Sequence, residues 1–86
     1  MVIMTNIEVY TDAFKRVFEV SDNTSKIESL KYQEIPEWDS VGHMELVSEI
    51  EDAFDIELET EDIIEFSSYQ KGKEILAVNY GIDFTA

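Results

Sequence analysis

Apolar side chains recur every three or four residues along this chain, and only one proline and three glycines interrupt them in 86 positions. That period is the repeat of an α-helix, in which residues i, i+3, i+4 and i+7 share a face, so the chain must bury helical stripes against one another. Tyr10, Ala13, Phe14, Val17 and Phe18 make the first stripe, on a helix predicted over 5–20, with Asp12, Lys15, Arg16 and Glu19 on its other side. The run Ser21-Asp22-Asn23-Thr24-Ser25 is expected to stop that helix, because these side chains compete for backbone hydrogen bonds. A second helix is predicted from Asp39-Ser40 to Phe54, with Leu46, Val47, Ile50, Ala53 and Phe54 facing inward. A short helix over 61–66 turns Ile63, Ile64 and Phe66 inward. A last helix, capped by Ser67 or Ser68, carries Ile75, Leu76 and Val78 and stops at Gly81. Gly72 lies inside that last pattern at a cost of about 1 kcal/mol in helix propensity.

Between the first two predicted helices runs a long connection, 21–39. Loops of this length in small domains are functional or anchored. Ile27, Leu30, Tyr32, Ile35 and Trp38 are spaced to pin it across a bundle, and Pro36 holds Ile35 extended. The expectation is an all-α fold: a small four-helix bundle of three longer helices and one short one, with residues 1–86 forming a single domain.

Charge excludes several functions. The chain has 6 basic and 20 acidic residues, a net of −14. Nucleic acid and anionic membrane surfaces both demand Lys and Arg, so neither is an expected partner. Partners carrying basic patches are favoured, and such pairs associate quickly and with salt sensitivity. There is no cysteine, hence no disulfide framework and no thiolate of the chain's own. No apolar run is long enough to span a bilayer, and no signal-peptide pattern opens the chain, so a cytoplasmic monomer is the expectation. An EF-hand needs alternating oxygen ligands, a central glycine and a closing glutamate, and neither Asp22-Asn23-Thr24 nor Asp52-Ala53-Phe54-Asp55 leads into such a loop.

The stretch Trp38-Asp39-Ser40-Val41-Gly42-His43-Met44-Glu45-Leu46 carries the chemistry. It sets a hydroxyl at the start of a helix, where unpaired amides and the helix dipole favour a phosphate by about 0.3–1 kcal/mol. Asp39 or Ser40 can cap that helix. Gly42, one turn in, leaves room for another surface to come close. His43 is the chain's only histidine. With no second nucleophile, oxyanion motif or metal set beside it, His43 reads as a surface contact residue and not as a catalytic base. Trp38 reads as a pin for the loop, or as a residue at the mouth of a cavity. From Glu45 to Glu65 there are ten acidic residues and no Lys or Arg.

On these residues the chain resembles the acyl carrier proteins and the related peptidyl carrier domains. The family motif, Asp-Ser followed by an aliphatic residue, is met by Asp39-Ser40-Val41. The resemblance runs without gaps through Leu46, Ile50 and Phe54 to Asp55-Ile56, continues over Thr60-Glu61-Asp62-Ile63, and covers nearly the whole chain. It implies a non-catalytic carrier: a phosphopantetheinyl transferase would attach 4′-phosphopantetheine to Ser40, and the arm's thiol would hold an acyl group as a thioester. That would bring thiol chemistry to a cysteine-free chain. It also implies that Asp39 helps the transferase recognise the site, and that Val41, Met44, Glu45 and Glu49 dock on basic patches of acyl-loading and acyl-transferring enzymes. Gly42, His43, Ser48 and Glu49 depart from the commonest carriers of fatty-acid synthesis. These departures set a dedicated carrier in a specialised pathway (polyketide, lipid or polysaccharide modification, or amino-acyl loading) at least level with a role in fatty-acid synthesis. Two alternatives stand beside this reading: an amino-acyl or peptidyl carrier of the D-alanyl type, and an unmodified acidic helical adaptor.

Overall fold

The computed structural model describes residues 4–18 and 24–85. Among these residues there are five helices: α1 (Asn6–Phe18), α2 (Thr24–Glu28), α3 (Ser40–Phe54), α4 (Thr60–Glu65) and α5 (Tyr69–Tyr80). The fold is all-α, with no strand among the described residues. It has one helix more than the sequence reading anticipated. Thr24 and Ser25, expected to act as breakers, instead open α2 inside the long connection. Residues Ser21, Asp22 and Asn23, and the end of the predicted first helix at Glu19 and Val20, lie outside the described residues.

Several helix ends have a chemical reason. Thr5 and Glu8 form a reciprocal capping box ahead of α1: the Thr5 amide donates to Glu8 Oε1 at 3.1 Å and the Glu8 amide to Thr5 Oγ1 at 3.3 Å. Ser68 caps α5 by accepting from the Lys71 amide at 2.9 Å. Gly81 ends α5 in the left-handed conformation at φ 67°. α4 has no side-chain cap. It is held from α5, where Tyr80 Oη donates to Asp62 Oδ2 at 2.6 Å and accepts from the Glu59 amide at 2.8 Å, and Asn79 donates to Asp62 Oδ1 at 2.9 Å.

The core is largely aromatic. Tyr10, Phe14, Phe18, Trp38, Phe66 and Tyr69 are all at most 1% exposed, and Ile27, Leu30, Leu46, Val47, Ile50 and Leu76 fill the space around them. Phe14 is the hub: its ring lies 5.1 Å from Tyr10, 5.1 Å from Tyr69 and 5.4 Å from Trp38. Such edge and tilted ring pairs add roughly 0.5–1.5 kcal/mol each beyond area burial. Three buried hydroxyls are satisfied within this core, Tyr10 Oη donating to the Tyr69 carbonyl at 2.7 Å and Thr11 Oγ1 pairing with Tyr69 Oη at 2.8 Å. Gly72 is buried because the Phe66 ring and the Tyr10 hydroxyl occupy the place of a side chain.

Three expected inward residues face solvent instead. Ile64 is 74% and Val78 76% exposed, and Ala53 is exposed as well. α4 has only six residues, and it turns Ile63 and the following Phe66 toward the core, which leaves Ile64 on the far side. On α5, Tyr69, Gly72, Ile75 and Leu76 take the inward stripe, and Val78 falls off it.

Burial holds the Tyr10 phenol well above the usual tyrosine range, with the neighbouring Tyr69 adding to the shift, and burial also raises Tyr69. Below about pH 10 both phenols keep their protons whether the chain is folded or not, so they contribute their full share to stability there. Above that, the unfolded chain releases protons that the folded one retains, and stability falls as pH rises. The urea midpoint should therefore decline above about pH 10, and less steeply in Tyr10→Phe. An equal decline in the two proteins would contradict this assignment.

Candidate functional site

The described part of the long connection is pinned to the bundle at several points. Ile27 and Leu30 are buried. Beyond α2 the backbone pairs with the segment before α5, the Tyr32 amide donating to the Ser67 carbonyl at 2.8 Å and the Tyr69 amide to the Leu30 carbonyl at 3.0 Å. The Gln33 amide then closes a turn onto the Trp38 carbonyl at 2.9 Å. Trp38 itself is 0% exposed, stacked on Phe18 at 5.2 Å and edge-on to Phe14. It is therefore a core residue that anchors the last step of the loop, and it does not sit at the mouth of a cavity.

His43 completes that anchor. The indole Nε1–H donates to His43 Nδ1 at 3.0 Å, and His43 Nε2 lies 2.8 Å from the Ile63 carbonyl oxygen. An indole N–H can only donate, so Nδ1 is the acceptor and Nε2 carries the hydrogen to Ile63. The expected surface contact role is thus corrected: the ring is half-buried, with both nitrogens committed to tying α3 to the loop and to α4. The signal that could have revealed this was the spacing of Trp38 and His43 across the start of a helix.

Gly42 has a similar internal use. The approaching surface is the chain's own: a methyl there would run into the Glu37 carbonyl oxygen and crowd the Phe18 ring at 3.3 Å. The loop backbone lies directly over the first turn of α3.

These constraints place Asp39 and Ser40. Asp39 is the N-cap, its Oδ1 accepting from the Gly42 amide at 2.8 Å. Ser40 is the first residue of the 15-residue α3 and is exposed. Its hydroxyl has no hydrogen-bond partner among the described residues, because Asp39 has taken the capping role. Val41 and Met44 are 65% and 51% exposed on the same outer face. Glu45 is exposed there too, whereas Glu49 is half-buried and receives Arg16 at 2.9 Å. Arg16 also pairs with Asp12 at 2.6 Å. Ser40, Val41, Met44, Glu45, Ser48 and Glu49 line one side of an open groove of about 840 Å³, with Arg16 and Val17 of α1 on the other. Among the described residues, no group of three or more His, Asp or Glu side chains converges as a metal site would, and no helix is long and apolar enough to cross a membrane.

No protein-family model, curated protein or solved structure matches this chain.

Two substitutions test the anchor. His43→Phe keeps the ring but leaves the Trp38 indole N–H buried without an acceptor, which should cost about 1–3 kcal/mol. The emission of the single tryptophan would report the change, and an unchanged unfolding midpoint would count against the bond. Gly42→Ala raises helix propensity by about 1 kcal/mol yet should still destabilise by roughly 1–3 kcal/mol through the collision with Glu37. A more stable Gly42→Ala protein in urea denaturation would refute the close approach.

Proposed function

We propose that this chain is an acyl carrier whose Ser40 bears a 4′-phosphopantetheine arm. One observation carries the reading: an exposed, unpartnered serine hydroxyl opens a long helix whose cap is supplied by the residue before it. Asp39 satisfies the Gly42 amide, so substitution at Ser40 Oγ removes no capping bond. The N-terminal end of a helix also favours the negative charge of a phosphodiester. The site fits the group on these grounds.

In the attachment step, Ser40 Oγ attacks the phosphorus of the coenzyme A pyrophosphate that bears pantetheine. The Oγ–P bond forms and the bond to the bridging oxygen breaks. Adenosine bisphosphate leaves, and the serine proton passes to a base on the transferase. Ser40 needs no base of its own for this, which suits a site where His43 is already engaged. Once bound, the arm supplies the thiol on which an acyl group is held as a thioester. Asp39 keeps α3 capped and offers its second carboxylate oxygen to the transferase.

The exposed Val41 and Met44, with Glu45 and Glu49 of the same helix lining the groove beside them, suit partner enzymes with an apolar contact inside a basic patch. Glu49 joins that surface when a partner's cation replaces Arg16. In this reading α1, α3, α4 and α5 are the carrier's four-helix bundle and α2 elaborates its long loop. The protein works as a cytoplasmic monomer that visits its partners in turn.

Incubation of the apo protein with coenzyme A and a broad-specificity phosphopantetheinyl transferase should add the mass of one arm, and Ser40→Ala should add none. No gain in the parent chain, or an equal gain in Ser40→Ala, would remove the proposal. An unmodified adaptor would behave in the first of these two ways.

A further inference from the structure

We propose that the group carried on Ser40 lies outside the bundle, along the groove between α1 and α3, so that the cargo is a short or polar acyl group and not a long aliphatic chain shielded in the core. This rests on the reading of Ser40 as the attachment point and goes beyond it to the class of cargo.

Two inward routes from Ser40 are closed. On the loop side, Gly42 is covered by the Glu37 carbonyl and the Phe18 ring, too tightly to admit a methyl. On the α4 side, His43 bridges the Trp38 indole and the Ile63 carbonyl. Behind that bridge the Trp38, His43 and Phe66 rings fill the space, with centroids 5.9–6.5 Å apart. A methylene chain entering there would have to break both His43 bonds and part rings packed at the density of a protein interior, where even one added methylene is felt.

The outward route is open and starts at Ser40 itself. The groove is bounded by Val17, Val41 and Met44, with Ser48 and Glu45 along it. It offers a tethered chain partial apolar contact while leaving it wet. Arg16, the cation in its wall, is already paired with Asp12 and Glu49. Among the described residues, nothing lining the groove therefore selects for a carboxylate at the end of the cargo. Water contact is a poor environment for a long alkyl chain, at about 0.8 kcal/mol for each methylene left unburied. A short or hydroxylated acyl group, or an amino-acyl group, suffers little from it.

The test uses the full chain loaded on Ser40 with amide-linked, non-hydrolysable arms bearing acetyl, butyryl and octanoyl groups. Backbone amide shifts and NOEs are then read by NMR. Contacts from the acyl methyls to the Val17 and Met44 side chains, with His43, Ile63 and Phe66 unmoved and the thermal midpoint the same for all three arms, are the expected result. Shifts at His43, Ile63 and Phe66 that grow with chain length, together with a rising midpoint, would overturn the inference. So would shifts confined to 39–42, since the groove would then hold nothing. Failure of the arm to attach at Ser40 at all would remove the underlying reading, and intact mass before the NMR experiment distinguishes that failure from the others.

Discussion

The Trp38 indole, buried against Phe14 and Phe18 and hydrogen-bonded to His43, is the contact on which the rest of the site depends. A tryptophan side chain contributes a large apolar area, but only where its N–H finds an acceptor. His43 supplies that acceptor one turn into α3, and its other nitrogen reaches the Ile63 carbonyl of α4. One imidazole therefore joins the loop and two helices. Because Trp38 immediately precedes Asp39-Ser40, the anchor also fixes where the exposed serine stands.

The same anchor explains why an apparently weak sequence position is necessary. Gly42 disfavours a helix on propensity alone. The structure requires it because the loop descending to Trp38 crosses over the first turn of α3, and only a residue without Cβ lets the Glu37 carbonyl pass. Gly72 answers the same need on α5, where Phe66 and Tyr10 converge. Both glycines exchange local helix propensity for close packing in a chain too small to have a deep core.

The division of labour at the start of α3 follows from one hydrogen bond. If Ser40 capped the helix, its hydroxyl would be occupied. Since Asp39 caps it, the hydroxyl is released to solvent with the helix terminus behind it. Arg16 holds the acidic face beyond in check where it neutralises Glu49 and joins α1 to α3. That pair joins an exposed Arg16 to a half-buried Glu49 and adds little to stability, of order 0–1 kcal/mol, but it sets the wall of the groove beside Ser40.

Much of this was legible in the sequence. The helical class followed from the apolar period, the α1 stripe from Tyr10 to Phe18 is buried but for the partly covered Val17, and the helix starting at Ser40 and stopping at Phe54 was marked by its cap and spacing. The exposure of Ser40, Val41, Met44 and Glu45 accords with their polar or outer-face positions. What the sequence by itself did not determine were the facts that depend on which surfaces meet. Periodicity cannot tell that a six-residue helix will lean Ile63 against the core and expose Ile64, because one turn and a half has no defined stripe until it is packed. It could not show that Thr24 and Ser25 begin a helix, since their local preference to break one is overridden by the burial of Ile27. Nor could it decide between Asp39 and Ser40 as the cap, or between a free and a committed His43. Both choices were made by tertiary contacts, the loop pressed onto Gly42 and the indole seated beneath the imidazole, and those contacts leave one hydroxyl exposed at the head of α3.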